Sequence, residues 1–463
     1  MEISKEPLLS DEDTVATHRL RLLACFFFPF ALSILIALLF EPLQLYQAEE
    51  YLSLALQPSG APSSIFRPPG YVAFLHLINV AGGGINAGRL APVYICQGLV
   101  LGLATAAWYI TARRWLAATP AWLLALAFGC NPLVVVLVGY IHYDLLHLGL
   151  SVLAGLLLVR AFADHAANPR RAGLAGLACG ALTLIRPMTL AEPAFLALAL
   201  GLQARGAKSC GAWLAWAVFF LAMAATIAPR TWSNYARTGR FIPVNAQTMA
   251  AFWPMFEEPI RPDSDNFPWI KIWFHRGVPL LEKQAGSAAL DPNYATTHPL
   301  VLEDVLGFRL RGLIRTQPGV YFSNLAHNAL FFWTGDSRMR IRTFVFYQYQ
   351  DRYAHPITWA ADFFIISSAL LHVCGALGLG LGLWRRDPTV TILASLFICL
   401  WIVHSMAYLD YRYLYVKFPF MLWFTGYLIS EYAKAIPSGK KHLAWVSAAF
   451  AMSSLIGTAL LVL

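Results

Sequence analysis

The sequence predicts an all-α polytopic membrane protein of about eleven transmembrane helices, with amphipathic helices outside the membrane in its first loop. Three observations carry this. Of 463 residues, 58% are hydrophobic and only 13% charged, with a mean hydropathy of +0.56; soluble domains carry about 25% charged residues. Several apolar runs reach the roughly 20 residues needed to cross a bilayer. These runs do not alternate in polarity, which excludes a β-barrel, and lipid leaves helices as the structure that satisfies its own backbone.

The expected spans cover residues 22–42, 90–112, 119–138, 145–163, 172–186, 189–204, 210–229, 360–384, 389–407, 414–433 and 443–462. Basic residues recur in every second connection: Arg19 and Arg21; Arg113 and Arg114; Arg160, Arg170 and Arg171; Arg205 and Lys208; Arg385 and Arg386; Lys434, Lys440 and Lys441. The positive-inside rule makes that side cytoplasmic. Four parts follow: a cytoplasmic tail (1–21), an N-terminal membrane module (22–229) with a first external loop (43–89), a long external loop (230–359) and a C-terminal membrane module (360–463). The N-terminus is then inside and the C-terminus outside. The composition points to a bacterial inner membrane, with the chemistry on the periplasmic face. Within the long loop, 305–333 reads as one or two amphipathic helices of the kind that lie along the interface.

The seven cysteines all lie in or beside apolar runs, so neither a disulfide framework nor a metal spacing is present. The net charge of +9 reads as membrane orientation, not nucleic-acid binding. The first apolar segment lacks the small-residue cleavage site of a secretory signal. No Gly-rich phosphate loop and no Asp-x-Asp nucleotide-sugar site occurs, and no divalent metal or other cofactor is indicated.

Chemistry-bearing residues gather on the external side. From Leu43 to Leu56, Leu45, Leu52, Leu54 and Leu56 are interspersed with Gln44, Gln47, Glu49 and Glu50, which makes a short surface helix. Adjacent helical residues point about 100° apart, so one of Glu49 and Glu50 faces a given site. Either carboxylate is a solvated polar face or a general base. Next comes Phe66-Arg67-Pro68-Pro69-Gly70-Tyr71. The prolines stiffen the chain and Gly70 permits close approach. Arg67 offers a planar fork of donors that matches phosphate. Asp144 opens a helix, as an N-cap or as a second carboxylate facing the same cavity. The spacing of His142, Asp144 and His147 is not that of a helical zinc pair. Arg186, Arg237 and Arg412 sit in further patches on this side, and together with Arg67 suit a clamp on a lipid phosphate. A charge at the depth of Glu192 is costly and implies a cavity. Among the aromatics, Tyr51, Tyr71, Trp232 and Tyr235 are candidates for contact with a sugar or acceptor.

In this order the motifs resemble a family. Glu-Tyr-Leu-Ser-Leu-Ala precedes Phe-Arg-Pro-Pro-Gly-Tyr; Leu-Ile-Arg-Pro follows near the fifth span; Pro-Arg-Thr-Trp-Ser-Asn-Tyr-Ala-Arg-Thr-Gly-Arg-Phe-Ile-Pro-Val follows the seventh; Tyr-Arg-Tyr precedes a late span. The pattern is similar to the C-type glycosyltransferases, in particular the protein mannosyltransferase-like group with the aminoarabinose transferases of lipid A, and it covers about residues 20–430. The resemblance implies inverting transfer from a polyprenyl-phosphate sugar to a hydroxyl on a glycan, lipid or protein. It implies an acid in the first external loop as the base, and Arg67 beside the donor phosphate. Relatives place aspartate four residues before the tyrosine, where this chain has Gln47; the base is then expected at Glu50 with Glu49, or at Asp144. Two other readings fit the composition. A relative without catalysis, acting as a lipid-binding or assembly partner, is favoured by Gln47. A transporter would show repeats and a midplane ionisable site, and no repeat is present.

Overall fold

A computed structural model of the chain describes residues 15–39, 48–56, 65, 67–85, 89–163, 167–203, 210–246, 255, 299–334, 356–406, 415–435, 446, 447, 449 and 452. The described residues are helical with short connections. In order they form α1 (Val15–Leu39), α2 (Ala48–Leu56), α3 (Pro69–Ala81), α4 (Ala91–Ala112), α5 (Ala118–Gly129), α6 (Pro132–Val136), α7 (Asp144–Phe162), α8 (Pro169–Ile185), α9 (Glu192–Gln203) and α10 (Cys210–Thr238). Then come α11 (Pro299–Thr316), α12 (Pro318–Thr334), α13 (Pro356–Trp384), α14 (Pro388–Met406) and α15 (Phe418–Ala435). Five of these helices are long and apolar enough to cross a membrane, six when the bent pair at 118–129 and 132–139 counts as one. The protein is therefore an integral membrane protein. Ten of the eleven expected spans overlie described helices; the last, 443–462, falls almost wholly outside the described residues.

Three departures from the expected spans have local causes. The run 119–138 breaks at Cys130-Asn131 with a 47° bend. There the Asn131 side chain accepts from the Leu133 N–H at 3.0 Å and restarts the helix with Pro132 in its first turn. The span beginning at 189 opens as a 3₁₀ turn (Pro187–Ala191) and becomes α-helical only at Glu192. The span expected to end at Pro229 continues to Thr238. That proline removes one donor without ending α10, because Thr231 Oγ1 and Asn234 Nδ2 bind the returning segment at Pro243 O (2.8 Å) and Ile242 O (2.9 Å). Helices α11 and α12 divide the 305–333 stretch in two at Gln317-Pro318, since the residue before proline disfavours helix.

Helix α7 is central and packs against α4, α8 and α14; α8 pairs with α10, and α13 with α15. Lipid provides little hydrophobic drive between helices, so close packing must hold them. Gly176 meets the Phe219 carbonyl across α8 and α10 so closely that no side chain fits between them. At one end of the bundle lie the first turns of α4 and α7 and the last turns of α8 and α14. At the opposite end Arg21 donates to Thr119 Oγ1 (3.0 Å) and Arg114 to Thr389 Oγ1 (3.0 Å), so basic residues tie the helices there. A smaller apolar cluster of Tyr51, Leu52, Tyr71, Leu75, Ile141 and Ile185 glues α2 and α3 over the first end.

Candidate active site

The site is built where α2 and α3 sit on the ends of α7 and α8. Helix α3 starts at Pro69, a residue suited to the first helical position, so the Pro-Pro pair of the hexad is a helix entry as well as a stiffener. Gly70 rests on the last turn of α8: a Cβ there would lie 2.6 Å from Ile185 Cγ1 and 2.9 Å from the Ile185 nitrogen. The hexad is thereby joined to Arg186, which follows Ile185 and closes α8 by donating its backbone N–H to Leu182 O (2.8 Å).

Glu49 and Glu50 occupy the first turn of α2, where the helix dipole favours carboxylates. Glu49 is exposed. Glu50 turns towards Arg67 and accepts both prongs of its guanidinium, Nε to Oε1 at 2.9 Å and Nη2 to Oε2 at 2.6 Å. The Arg67 side chain is 9% exposed and that of Glu50 22%, so the pair is shielded yet open on the carboxylate side. Arg67 also lies over the Tyr51 ring, 5.8 Å from its centre. Tyr51 is fully buried, edge-on to Tyr71, His142 and Tyr143. Burial pushes its hydroxyl well above the ordinary range, so it stays neutral.

A second charged pair lies alongside. Asp144, at the first position of α7, is 2% exposed. Its Oδ2 accepts from the Tyr415 hydroxyl at 3.0 Å and lies 2.7 Å from His142 Nδ1; its Oδ1 is 3.9 Å from Arg186 Nη1. The Arg186 guanidinium covers the Tyr143 ring at 5.5 Å. Two buried arginines, each with its own carboxylate, thus share one end of the bundle. Among the described residues, no three His, Cys, Asp or Glu side chains could hold a metal ion together.

The remaining candidates divide. Tyr71 is fully buried and its hydroxyl donates to Gln97 Oε1 at 3.2 Å; the Gln97 amide in turn donates to Val138 O (2.8 Å) and Tyr140 O (3.0 Å). It is a wall of the site. Trp232 (70% exposed), Tyr235 (51%) and the exposed Arg237 lie on the last turns of α10, and no contact joins the two aromatic rings to the buried pairs among the described residues. The segment after α10 does reach the residue before the hexad: Ala246 N–H donates to Ile65 O at 2.9 Å, and Arg230 Nε to Val244 O at 3.1 Å. Arg412 lies outside the described residues, as does Gln47.

Arg240, just past α10, grips Asp304 of α11 with two bonds of 2.8 and 2.9 Å and holds that carboxyl below its usual range. Both side chains are about half exposed or more, so solvent screens the pair. Asp304→Ala is expected to change unfolding stability by less than about 1 kcal/mol, checked as a thermal shift in detergent of no more than a few degrees.

Some members of the site were not singled out from sequence. Tyr415 follows the Tyr411-Arg412-Tyr413 run by two residues, so the motif pointed to its neighbourhood and not to it. His404, buried at the end of α14 with Nδ1 2.6 Å from Leu400 O, carried only the signal of a polar residue in an apolar span. Glu192, by contrast, was singled out from sequence for its charge at depth; it is fully buried and accepts from Ser395 Oγ at 2.8 Å, tying α9 to α14.

No family model and no curated protein sequence matches the chain. Solved structures do. The archaeal oligosaccharyltransferase AglB from Archaeoglobus fulgidus, in complex with an inhibitory peptide and a dolichol-phosphate, superposes with a TM-score of 0.51 at 13% identity, covering 95% of this chain and 55% of that one. The Archaeoglobus fulgidus oligosaccharyltransferase tethered to an acceptor peptide gives a TM-score of 0.53 at 12% identity, covering 96% and 54%. ArnT from Cupriavidus metallidurans bound to undecaprenyl phosphate gives only 0.39 at 15% identity, covering 92% and 80%, too loose a superposition to bear on the fold. This chain spans about half the length of the oligosaccharyltransferases it matches. The two closer superpositions define its class: a membrane protein that shares its fold with these oligosaccharyltransferases over about half of their length.

Proposed function

We propose that the chain is an inverting glycosyltransferase. It moves a sugar from a polyprenyl-phosphate donor to an acceptor hydroxyl at the periplasmic face of a bacterial inner membrane. One observation carries this reading: the shielded bidentate Glu50–Arg67 pair, set beside a second buried arginine at one end of a bundle of this fold. The basic residues at the opposite end support a cytoplasmic placement for that side. The dolichol-phosphate in the oligosaccharyltransferase complex of the same fold supports a lipid phosphate as the donor's leaving group.

The chemistry follows from the groups. The acceptor oxygen attacks the anomeric carbon while the bond from that carbon to the phosphate oxygen breaks. The acceptor proton passes to the Glu50 carboxylate, with exposed Glu49 beside it as the route to solvent. The electron pair of the broken bond leaves with the polyprenyl phosphate, whose charge grows from one to two. Arg67 and Arg186 face that developing charge, and fixed donors at such a point are the largest source of catalysis. Arg412, expected in the clamp from sequence, lies outside the described residues, and exposed Arg237 is left to headgroup contact at the surface. Asp144 is enclosed by Tyr415, His142 and Arg186, and we assign it to holding Arg186 in place rather than to taking the proton. Tyr51 and Tyr71 wall the site, and Trp232 and Tyr235 offer exposed aromatic faces to the acceptor.

The reading is tested by incubating purified protein with a panel of polyprenyl-phosphate sugars and following release of polyprenyl phosphate. Turnover that requires Glu50 and Arg67 is expected. Donor binding without turnover across a broad acceptor panel would move the assignment to a lipid-binding relative without catalysis, the reading that Gln47 favours.

A further inference from the structure

We propose that His147 recognises a hydroxyl of the donor's sugar, an inference that rests on the transferase reading above. His147 lies three residues into α7 from Asp144 and so shares its face, one turn deeper. It is fully buried, and neither ring nitrogen has a hydrogen-bond partner. Buried polar atoms in native proteins are nearly always satisfied by protein, water or ligand, so a bound molecule belongs beside this ring. The surroundings say which kind. Arg186, Asp144 and His404 are within electrostatic range of it. The Nδ1 of His404 must carry its proton, because it faces the Leu400 carbonyl at 2.6 Å; its Nε2 is therefore an acceptor. The Tyr51 hydroxyl is also buried and without a partner, and its ring packs edge-on against His142 at 5.9 Å.

The site thus separates two kinds of donor and acceptor. Its arginines match an anionic phosphate. Its unpartnered groups are an imidazole, which in the neutral form offers one donor and one acceptor, and a phenol, which offers the same. That pairing matches a sugar hydroxyl, itself both donor and acceptor. A phosphate oxygen would use only the donor half. Loss of one neutral hydrogen bond corresponds to about a tenfold loss of affinity.

The test compares two probes on full-length protein: undecaprenyl phosphate, and undecaprenyl phosphate carrying mannose, glucose, galactose or arabinose. Binding of each is measured to wild type, His147→Phe, His147→Gln and Arg67→Ala. The wild type is expected to bind at least one sugar-bearing lipid more tightly than the bare lipid phosphate. His147→Phe should lose about tenfold of that margin while binding the bare lipid phosphate as wild type does. His147→Gln, which keeps a donor and an acceptor, should recover part of it and serves as the readout where the phenylalanine variant does not fold. Arg67→Ala should weaken both probes. An unchanged margin in the His147 variants would mean that the ring binds only water, and would overturn the inference. So would an equal loss for both probes, or a wild type that prefers no sugar. Those three results leave the lipid-phosphate reading standing; wild-type protein that binds neither probe removes both.

Discussion

Glu50→Gln is expected to lower sugar transfer by about 10²–10⁴-fold, the usual contribution of a positioned general base, while undecaprenyl phosphate binds at least as tightly as to wild type. The two halves of this result have one cause. On the proposed reading, Glu50 and a lipid phosphate compete for the same guanidinium fork, held by Glu50 through bonds of 2.9 and 2.6 Å. A neutral amide is a weaker partner for Arg67 than a carboxylate, so the variant surrenders the arginine more readily, yet it has no lone pair basic enough to take the acceptor's proton. Single-turnover transfer and equilibrium binding of the bare lipid phosphate separate the two effects. Arg67→Ala should lose both. Full turnover in Glu50→Gln would move the base to Glu49 or Asp144, to be distinguished by Glu49→Gln and Asp144→Asn.

Gly70→Ala is the second large effect. The added methyl would stand 2.6 Å from Ile185 Cγ1 and 2.9 Å from both the Ile185 nitrogen and the Leu184 carbonyl carbon. Two of those three atoms belong to backbone and cannot rotate away, so α3 must lift from α8. Overpacking of this kind costs about 1–3 kcal/mol. Because Arg67 precedes Gly70 and Arg186 follows Ile185, the shift separates the two arginines, and misplacement by about 1 Å is enough for a loss near 100-fold in rate. Thermal unfolding and transfer rate should both fall, with the rate falling further than stability explains. Gly201→Ala in α9 is the control: a Cβ there meets nothing within 4 Å, and helix propensity makes the change neutral or stabilising by up to about 1 kcal/mol. Equal behaviour of the two variants would show that the Gly70 contact does not set the site.

Much of this was legible in the sequence because it is local. Apolar length marks the spans, the Pro-Pro pair and Gly70 mark a rigid approach, and the adjacent acids force a choice that the helix period frames. The period alone does not say that Glu50 faces inwards; the apolar side of α2, with Tyr51, Leu52 and Ala55 buried against α3, decides it. Helix α3 is only half legible: the Pro68-Pro69 pair reads as a stiffened approach or as a helix entry, and its second proline does open a helix. The extension of α10 was hidden because Pro229 reads as a stop, and only the capture of the 242–244 segment by Thr231 and Asn234 keeps the helix going. The Tyr415–Asp144 bond joins residues 271 positions apart. No local pattern encodes such a contact; it follows from the start of α7 meeting the segment that leads into α15.

The interior beyond this end of the bundle is filled with aromatic rings. Trp108 of α4 and Trp423 of α15 stack with centres 6.0 Å apart and planes within 4° of parallel, and Trp108 Nε1 donates to Pro419 O at 3.0 Å. Gly155 of α7 leaves room for the Trp423 ring, 3.2 Å from where its Cβ would be. On the proposed reading, this packed stack stands in the way of a hydrophilic sugar between α4, α7 and α15, among the described residues. The protein then works on one leaflet only, and its substrate must be turned over in the bilayer before arriving. On that reading, a separate translocation step has to supply it. In sealed vesicles holding the donor in a single leaflet, transfer should therefore occur in one orientation of the protein and stay silent in the other.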